Sequence, residues 1–151
     1  MSRYLLDTDI IGNATRPSPS PSLLAWLADR SDDELFIASL TIAEIRRGIL
    51  EKPAGRKREE LERWFSGPEG PPALFAGRVL PLDEKAALAW ARLMAEGKTT
   101  GRARSALDMI IAATAEANGC FIVIDNEKDF AGLKIVNPLR PPREGGDPSL
   151  R

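Results

Sequence analysis

The chain has 151 residues, a length that fits one domain able to hide about 68–70% of its unfolded surface. Its 43% hydrophobic and 28% charged residues are ordinary for a globular protein. Lysine and arginine number 21 against 22 acids, a net charge of −1, so no overall field draws nucleic acid and such a role would need a local basic patch. Histidine is absent and cysteine occurs once, at position 120. The usual general base, the common zinc ligand, every Ser-His or Cys-His arrangement and an internal disulfide are thereby excluded.

No apolar run approaches the roughly 20 residues of a membrane span, and the first residues lack the apolar core of a signal peptide. A cytoplasmic, reducing environment without a membrane partner is the expectation, with Cys120 a buried free thiol. Hydrolytic chemistry in such a chain has to rest on carboxylates, with metal as their natural partner.

Residues 3–7 read as a buried strand that ends abruptly on Asp7. A short helical piece over 8–15 follows, then a proline-rich connector over 16–21. Ser22 is expected to cap a helix carrying Leu23, Leu24, Trp26 and Leu27. The run 35–38 is a second strand. Ile42, Ile45, Ile49 and Leu50 then mark a helix over 41–51, which breaks at Pro53 and resumes as a charged helix over 56–65. Residues 67–72 are expected to loop.

Residues 79–82 form a short strand, placed at an edge by Pro81. Asp83 looks like the cap of a helix running to about 96, with Ala87, Trp90, Ala91 and Met94 on one face. A basic loop over 97–104 leads to an apolar helix over 105–118, closed by Gly119. Residues 121–124 are the clearest strand, again ending on acids, and a helical turn and a strand over 134–136 complete the pattern. Residues 1–139 are read as one domain and 140–151 as a poorly ordered tail. Apolar strands alternating with helices predict an α/β sandwich with a mainly parallel sheet.

In such a sheet ligands bind at the carboxyl edge of the strands. Asp7 and the pair Asp125-Asn126 end two strands and would meet there if those strands are neighbours. Glu44 lies in the first turn of the helix after the second strand, and Asp108 in the first turn of the apolar helix. Thr41-Ile42-Ala43-Glu44 and Ser105-Ala106-Leu107-Asp108 equally match the pattern in which an acid bonds back to the helix cap, and Asp7 equally suits a turn. Against this for Asp108 stands its setting among Leu107, Met109, Ile110 and Ile111, where an unpartnered carboxylate is costly. Converging carboxylates repel and raise one another's pKa values. Oxygen ligands without histidine or cysteine select Mg²⁺ or Mn²⁺, and such an ion suits phosphodiester hydrolysis.

The motifs resemble, in order, those of the PIN-domain ribonucleases, particularly the VapC-type toxins of bacterial toxin–antitoxin pairs. Leu5-Leu6-Asp7-Thr8-Asp9-Ile10-Ile11 resembles the family's opening, and Arg16-Pro17 with Leu24-Ala25-Trp26-Leu27 its second segment. Ala38-Ser39-Leu40-Thr41-Ile42-Ala43-Glu44-Ile45-Arg46-Arg47-Gly48-Ile49 is similar to its second acidic motif. Leu107-Asp108-Met109-Ile110-Ile111-Ala112-Ala113-Thr114-Ala115 matches the third, Asp125-Asn126-Glu127-Lys128-Asp129-Phe130 falls where the fourth lies, and Val136-Asn137-Pro138 resembles the last strand. Nearly the whole chain to Leu139 is covered.

The resemblance implies a three-layer α/β/α sandwich around a five-stranded, mainly parallel sheet. It also implies an endoribonuclease with Mg²⁺ or Mn²⁺ held by Asp7, Glu44 and Asp108, a homodimer, and a small antitoxin that blocks the site. The fourth position falls on Asn126, but Ile124-Asp125 stands where the family commonly has Thr-Arg. The fourth ligand is therefore open among Asp125, Asn126 and Asp129, with Asn126 favoured by motif and Asp129 in the outer shell. Thr8, Asp9 and Ser39 are placed just outside the ligands. RNA would approach over Arg46, Arg47, Lys98, Arg102 and Arg104, all equally readable as solvated charge. Trp64, Phe65 and Trp90 read as core or dimer contacts rather than stacking platforms.

Two other readings compete. Asp7-Thr8-Asp9, Ser39, Lys98 and the acids 125–129 also resemble the motifs of haloacid dehalogenase phosphatases, which would make Asp7 a phosphorylated nucleophile and Asp9 its general acid. That reading leaves Glu44 and Asp108 unexplained. A PIN-like binding module without catalysis is the second alternative.

Overall fold

The computed structural model describes residues 2–139, so the expected tail over 140–151 lies outside the described residues. Five strands make one sheet: β1 (Tyr4–Leu6), β2 (Leu35–Ala38), β3 (Val79–Leu80), β4 (Phe121–Val123) and β5 (Ile135–Val136). Their order across the sheet is β3-β2-β1-β4-β5 and every neighbouring pair is parallel. Tyr4, Leu5 and Leu6 pair with Phe121, Ile122 and Val123, so the strands that deliver Asp7 and Asp125-Asn126 are indeed neighbours.

Side chains alternate across a strand, and here both alternating sets are buried. Leu5, Ile122 and Ile124 pack with Leu93, Met109, Ala112 and Ala113 on one face. Tyr4, Leu6 and Val123 pack with Ile10, Leu23, Trp26 and Phe75 on the other. Burial on both faces is why these strands are apolar throughout rather than alternating. The helices that supply the covers are α1 (Thr8–Thr15), α2 (Pro21–Ala28), α3 (Ser39–Leu50), α4 (Arg56–Ser66), the single turn α5 (Pro71–Leu74), α6 (Glu84–Thr99) and α7 (Ala106–Ala117). The result is the expected three-layer sandwich. No helix among the described residues is long and apolar enough to cross a membrane.

Several boundaries differ from the sequence reading. Helix α2 starts at Pro21 with Ser20 as its cap, because proline needs no N–H bond at the first helical position. Helix α3 starts at Ser39 with Ala38 as its cap, so Thr41 does not cap it. Part of the expected loop over 67–72 winds into α5.

Helix α6 runs past 96 to Thr99; Trp90 and Met94 face the core as expected, with Ala86, Ala89, Leu93 and Gly97, while Ala87 and Ala91 are exposed. A helix whose faces are both rich in alanine gives little to choose between registers one residue apart. Asp83 caps it as expected, its Oδ1 accepting from the Ala86 N–H at 2.9 Å. Gly119, with φ of +65°, ends α7 in the left-handed conformation that favours glycine.

Candidate active site

The parallel sheet brings all strand tips to one edge, and the acids gather there. The Asp7 N–H donates to the Val123 carbonyl at 2.9 Å, extending the ladder by one residue. Its own carbonyl accepts from the Ile10 N–H at 3.0 Å, so the chain turns at once into α1. Asp7 is the N-cap residue by position, yet its side chain makes no capping bond. The residue is 8% exposed and its carboxyl pKa is raised to about 7, first by burial and then by the charge of Asp9, with Asp108 and Glu44 adding to it. Only the Thr8 backbone N–H opposes these.

Asp108 is half-buried and its pKa is also raised, by burial and then by Asp129, with Glu44 and Asp9 contributing; the Ser105 hydroxyl works the other way. Asp9, Glu44 and Asp108 thus lie within electrostatic reach of Asp7, and Asp129, Glu44 and Asp9 within reach of Asp108, drawn from β1–α1, α3, α7 and the 3₁₀ turn Glu127–Phe130. Part of the capping pattern read from its motif is present at Asp108. Ser105 caps α7, its Oγ accepting from the Asp108 N–H at 3.2 Å, while the carboxyl faces the acids. Its setting is wetter than the apolar neighbours imply, since Leu107 is 43% exposed.

Glu44 is placed by a contact the capping pattern hid. The Thr8 hydroxyl donates to Glu44 Oε1 at 2.7 Å and lies 3.2 Å from Thr41 Oγ1. Thr41 is fully buried and sits one turn before Glu44 on α3, so α1 and α3 are pinned together beside the acid. Thr41 went unread as a site residue, because a Thr-x-x-Glu run looks the same whether threonine caps a helix or lies inside one. Ser39 opens α3 and is exposed, with no side-chain hydrogen bond among the described residues.

At the fourth position, Asn126 Nδ2 donates to Asp129 Oδ2 at 2.8 Å. The amide thus steadies Asp129, and Asp129 supplies the charge felt by Asp108. The Asp125 side chain is exposed, and its backbone carbonyl accepts from Asn137 Nδ2 at 3.1 Å.

The donors are carboxylate and amide oxygens throughout. Cys120, the one thiol, precedes β4 and so lies at the opposite edge of the sheet. Among the described residues no ion pair reaches Asp7, Glu44, Asp108 or Asp129. Nor do any three of the acids, as their side chains stand, close on one point tightly enough to grip an ion. Carboxylates drawn together repel, and a hard divalent cation is the group that reverses that repulsion. A buried acid with a raised pKa, acidic neighbours and no basic partner fits Mg²⁺ or Mn²⁺.

The expected basic residues separate into two kinds. Arg46 lies 3.8 Å from Glu62 and over the Phe65 ring, Arg47 donates to Glu51 at 3.2 Å, and Arg104 donates to the Leu93 carbonyl at 2.7 Å with Glu96 at 3.8 Å. Lys98 and Arg102 are exposed, with no side-chain bond among the described residues. Trp90 is half-buried and its Nε1 donates to the Ala106 carbonyl at 3.0 Å, tying α6 to the start of the helix that carries Asp108.

The PIN domain pattern matches residues 4–135. The chain is 39% identical over 139 residues to the VapC ribonuclease Y4jK of Sinorhizobium fredii, spanning 91% of this chain and 98% of that protein. It is 33% identical over 136 residues to Toxin FitB of Neisseria gonorrhoeae, spanning 89% and 96%. The solved structure of FitAB bound to an IR36 DNA fragment superposes with a TM-score of 0.84 at 31% identity, covering 93% of this chain and 99% of that one. Asp108 and Glu44 both bear on the charge of Asp7, and the dehalogenase reading leaves them without a role. By its fold, its acidic edge and these similarities, the chain belongs to the PIN-domain family.

Proposed function

We propose that the protein is an endoribonuclease that hydrolyses RNA phosphodiester bonds with Mg²⁺ or Mn²⁺ and acts in the cytoplasm as the toxin of a toxin–antitoxin pair. The observation that carries the chemistry is Asp7, a carboxyl buried beside Asp9, Asp108 and Glu44 with no basic side chain to neutralise it. The ribonuclease and toxin names of relatives aligned over nearly their whole length support the substrate and the biological role.

In this reading Asp7, Glu44 and Asp108 hold the ion. Asp129, steadied by Asn126, serves as the fourth acid, and Asp9 adds negative charge that strengthens cation binding. A bound divalent ion supplies a water of lowered pKa and stabilises charge on the phosphoryl group. The protein's own part is positional. Thr8 fixes Glu44, Ser105 anchors the first turn of α7 under Asp108, and the β1–β4 ladder fixes Asp7. Without histidine, carboxylates are the side chains left to take a proton near neutral pH.

Likeness to Toxin FitB and to a solved FitAB complex supports an antitoxin partner, which we place over the same edge. The test is incubation of the purified chain with single-stranded and structured RNA in Mg²⁺, Mn²⁺ or EDTA, beside Asp7→Asn. Cleavage in either metal, abolished by EDTA and by the substitution, is expected. Cleavage indifferent to EDTA would overturn the metal mechanism.

A further inference from the structure

The acidic edge poses a problem for its own substrate. The carboxylates gathered around Asp7 and Asp108 repel an RNA phosphate, and the chain as a whole, at −1, offers no compensating field. Local cations must hold the strand. Beside the acids runs an open groove of about 440 Å³ between the loop after α6 and the turn that follows β4. Ser105 and Asp129 line it, and these are the residues that touch or charge Asp108, so the groove leads into the site. Arg102 and Lys128 also line it, one from each segment, both exposed and with no side-chain bond or ion pair among the described residues. Arg104 lines the groove too, but its guanidinium is held by the Leu93 carbonyl, as Arg46 is held beside Glu62 and Arg47 by Glu51.

The Arg102 wall is built rather than loose. The Arg102 N–H donates to the Gly97 carbonyl at 2.9 Å, and the Arg104 side chain folds back onto α6. A Cβ on Gly97 would stand 2.9 Å from the Arg102 carbonyl oxygen and 2.9 Å from Arg104 Cδ, so glycine is what lets the loop lie against the helix. Gly101, at φ of +73°, makes the turn that presents Arg102. Ordering this loop on binding therefore costs little, because folding has already ordered it.

We propose that this groove is the track for the RNA strand on one side of the scissile phosphate, with Arg102 and Lys128 binding backbone phosphates next to the one that is cut. The proposal rests on the nuclease reading above. It makes both residues positioning groups that act through phosphates, so their effect is independent of base sequence and sensitive to salt.

The test uses the full chain carrying Asp7→Asn to prevent cleavage, with fluorescent single-stranded RNAs of two unrelated sequences in Mg²⁺. Arg102→Ala and Lys128→Ala should each weaken binding of both RNAs by roughly 3–10-fold. Each should also flatten the slope of log affinity against log salt by about 0.7. Lys134→Ala removes the same charge from the opposite edge of the sheet, ahead of β5, and should change neither. In the cleaving chain the two groove substitutions should raise KM and leave kcat within about a factor of two, and Lys128→Arg should restore KM. Unchanged binding and salt slope in both groove variants, with the parent still binding RNA, would overturn the groove alone. A parent that binds no RNA would overturn the nuclease reading and the groove together.

Discussion

At Asp7 the fold works against itself. Burial and acidic neighbours lift its pKa to about 7 from the ordinary 3.8, so the folded state holds a proton there that the unfolded chain releases. The folded protein binds more protons between these two values, and stability falls as pH rises through that window. The deficit is fully present above about pH 7 and absent below the unfolded value. Asp7→Asn removes it, and melting in EDTA should show the variant more stable than the parent at pH 8, by roughly 2–4 kcal/mol, and nearly equal at pH 4. A variant less stable than the parent at pH 8 would contradict this account of the site.

Thr8 is the complementary case. Thr8→Val keeps the shape but takes the hydrogen bond from Glu44 Oε1 and the contact with Thr41. A bond to a charged acceptor contributes about 1.5–3 kcal/mol, so a loss of about 1–2 kcal/mol in stability and a weaker response to Mg²⁺ are expected by calorimetry. Thr41→Ser, which keeps the hydroxyl, should have a much smaller effect on the metal response.

Among the elements, α7 matters most, because one helix does two jobs. Its buried line of Met109, Ile111, Ala112, Ala113 and Ala115 packs on the sheet, while its first turn holds Asp108 at the acidic edge. Two contacts fix where that turn lies: Ser105 caps it, and the Trp90 indole donates to the Ala106 carbonyl. Trp90→Phe retains most of the packing and loses the bond. A cost of about 1 kcal/mol is expected in denaturant unfolding, with a drop in RNA cleavage larger than in the Lys134→Ala chain.

The loop between α6 and α7 obeys the same logic. Gly97→Ala would stabilise an isolated helix by about 1 kcal/mol. Here it pushes against a backbone carbonyl and the Arg104 stem, so net destabilisation is expected by thermal melting. A more stable Gly97→Ala chain would show that the loop does not lie where this packing places it.

For the whole molecule, a divalent ion that binds the folded chain and not the unfolded one adds stability by mass action, about 2.7 kcal/mol at a hundredfold excess over Kd. Titrating Mg²⁺ or Mn²⁺ should therefore raise Tm in the parent. The rise should disappear in Asp108→Asn and shrink in Asp129→Asn, which ranks Asp129 below the three central acids. An equal rise in Asp129→Asn and the parent would remove it from the ligand set.

The sequence by itself determined the strands, the parallel sandwich and the acids that end the strands, because buried parallel strands must be apolar throughout and the chain turns polar where they stop. It also carried the ordered motifs that mark a PIN domain, now matched over residues 4–135. What only the tertiary structure decided were features set by contacts between distant segments. Thr8 and Thr41 are 33 residues apart, so no local pattern distinguishes their pairing from an ordinary cap. Helix α6 runs through Gly97, a residue that local propensity places outside a helix, where the loop carrying Arg102 and Arg104 lies against it. At the fourth position the motif pointed to Asn126, and only the fold shows its amide donating to Asp129 three residues on, in a turn whose geometry no strand alternation could supply. Arg102 and Arg104, alike as letters two residues apart, both line the groove but part company in their charge, because the Arg104 guanidinium is held by the Leu93 carbonyl and Glu96 of α6 while the Arg102 side chain makes no bond among the described residues. Sequence fixes which groups can do chemistry; the packing of segments far apart along the chain decides which of them remain free to do it.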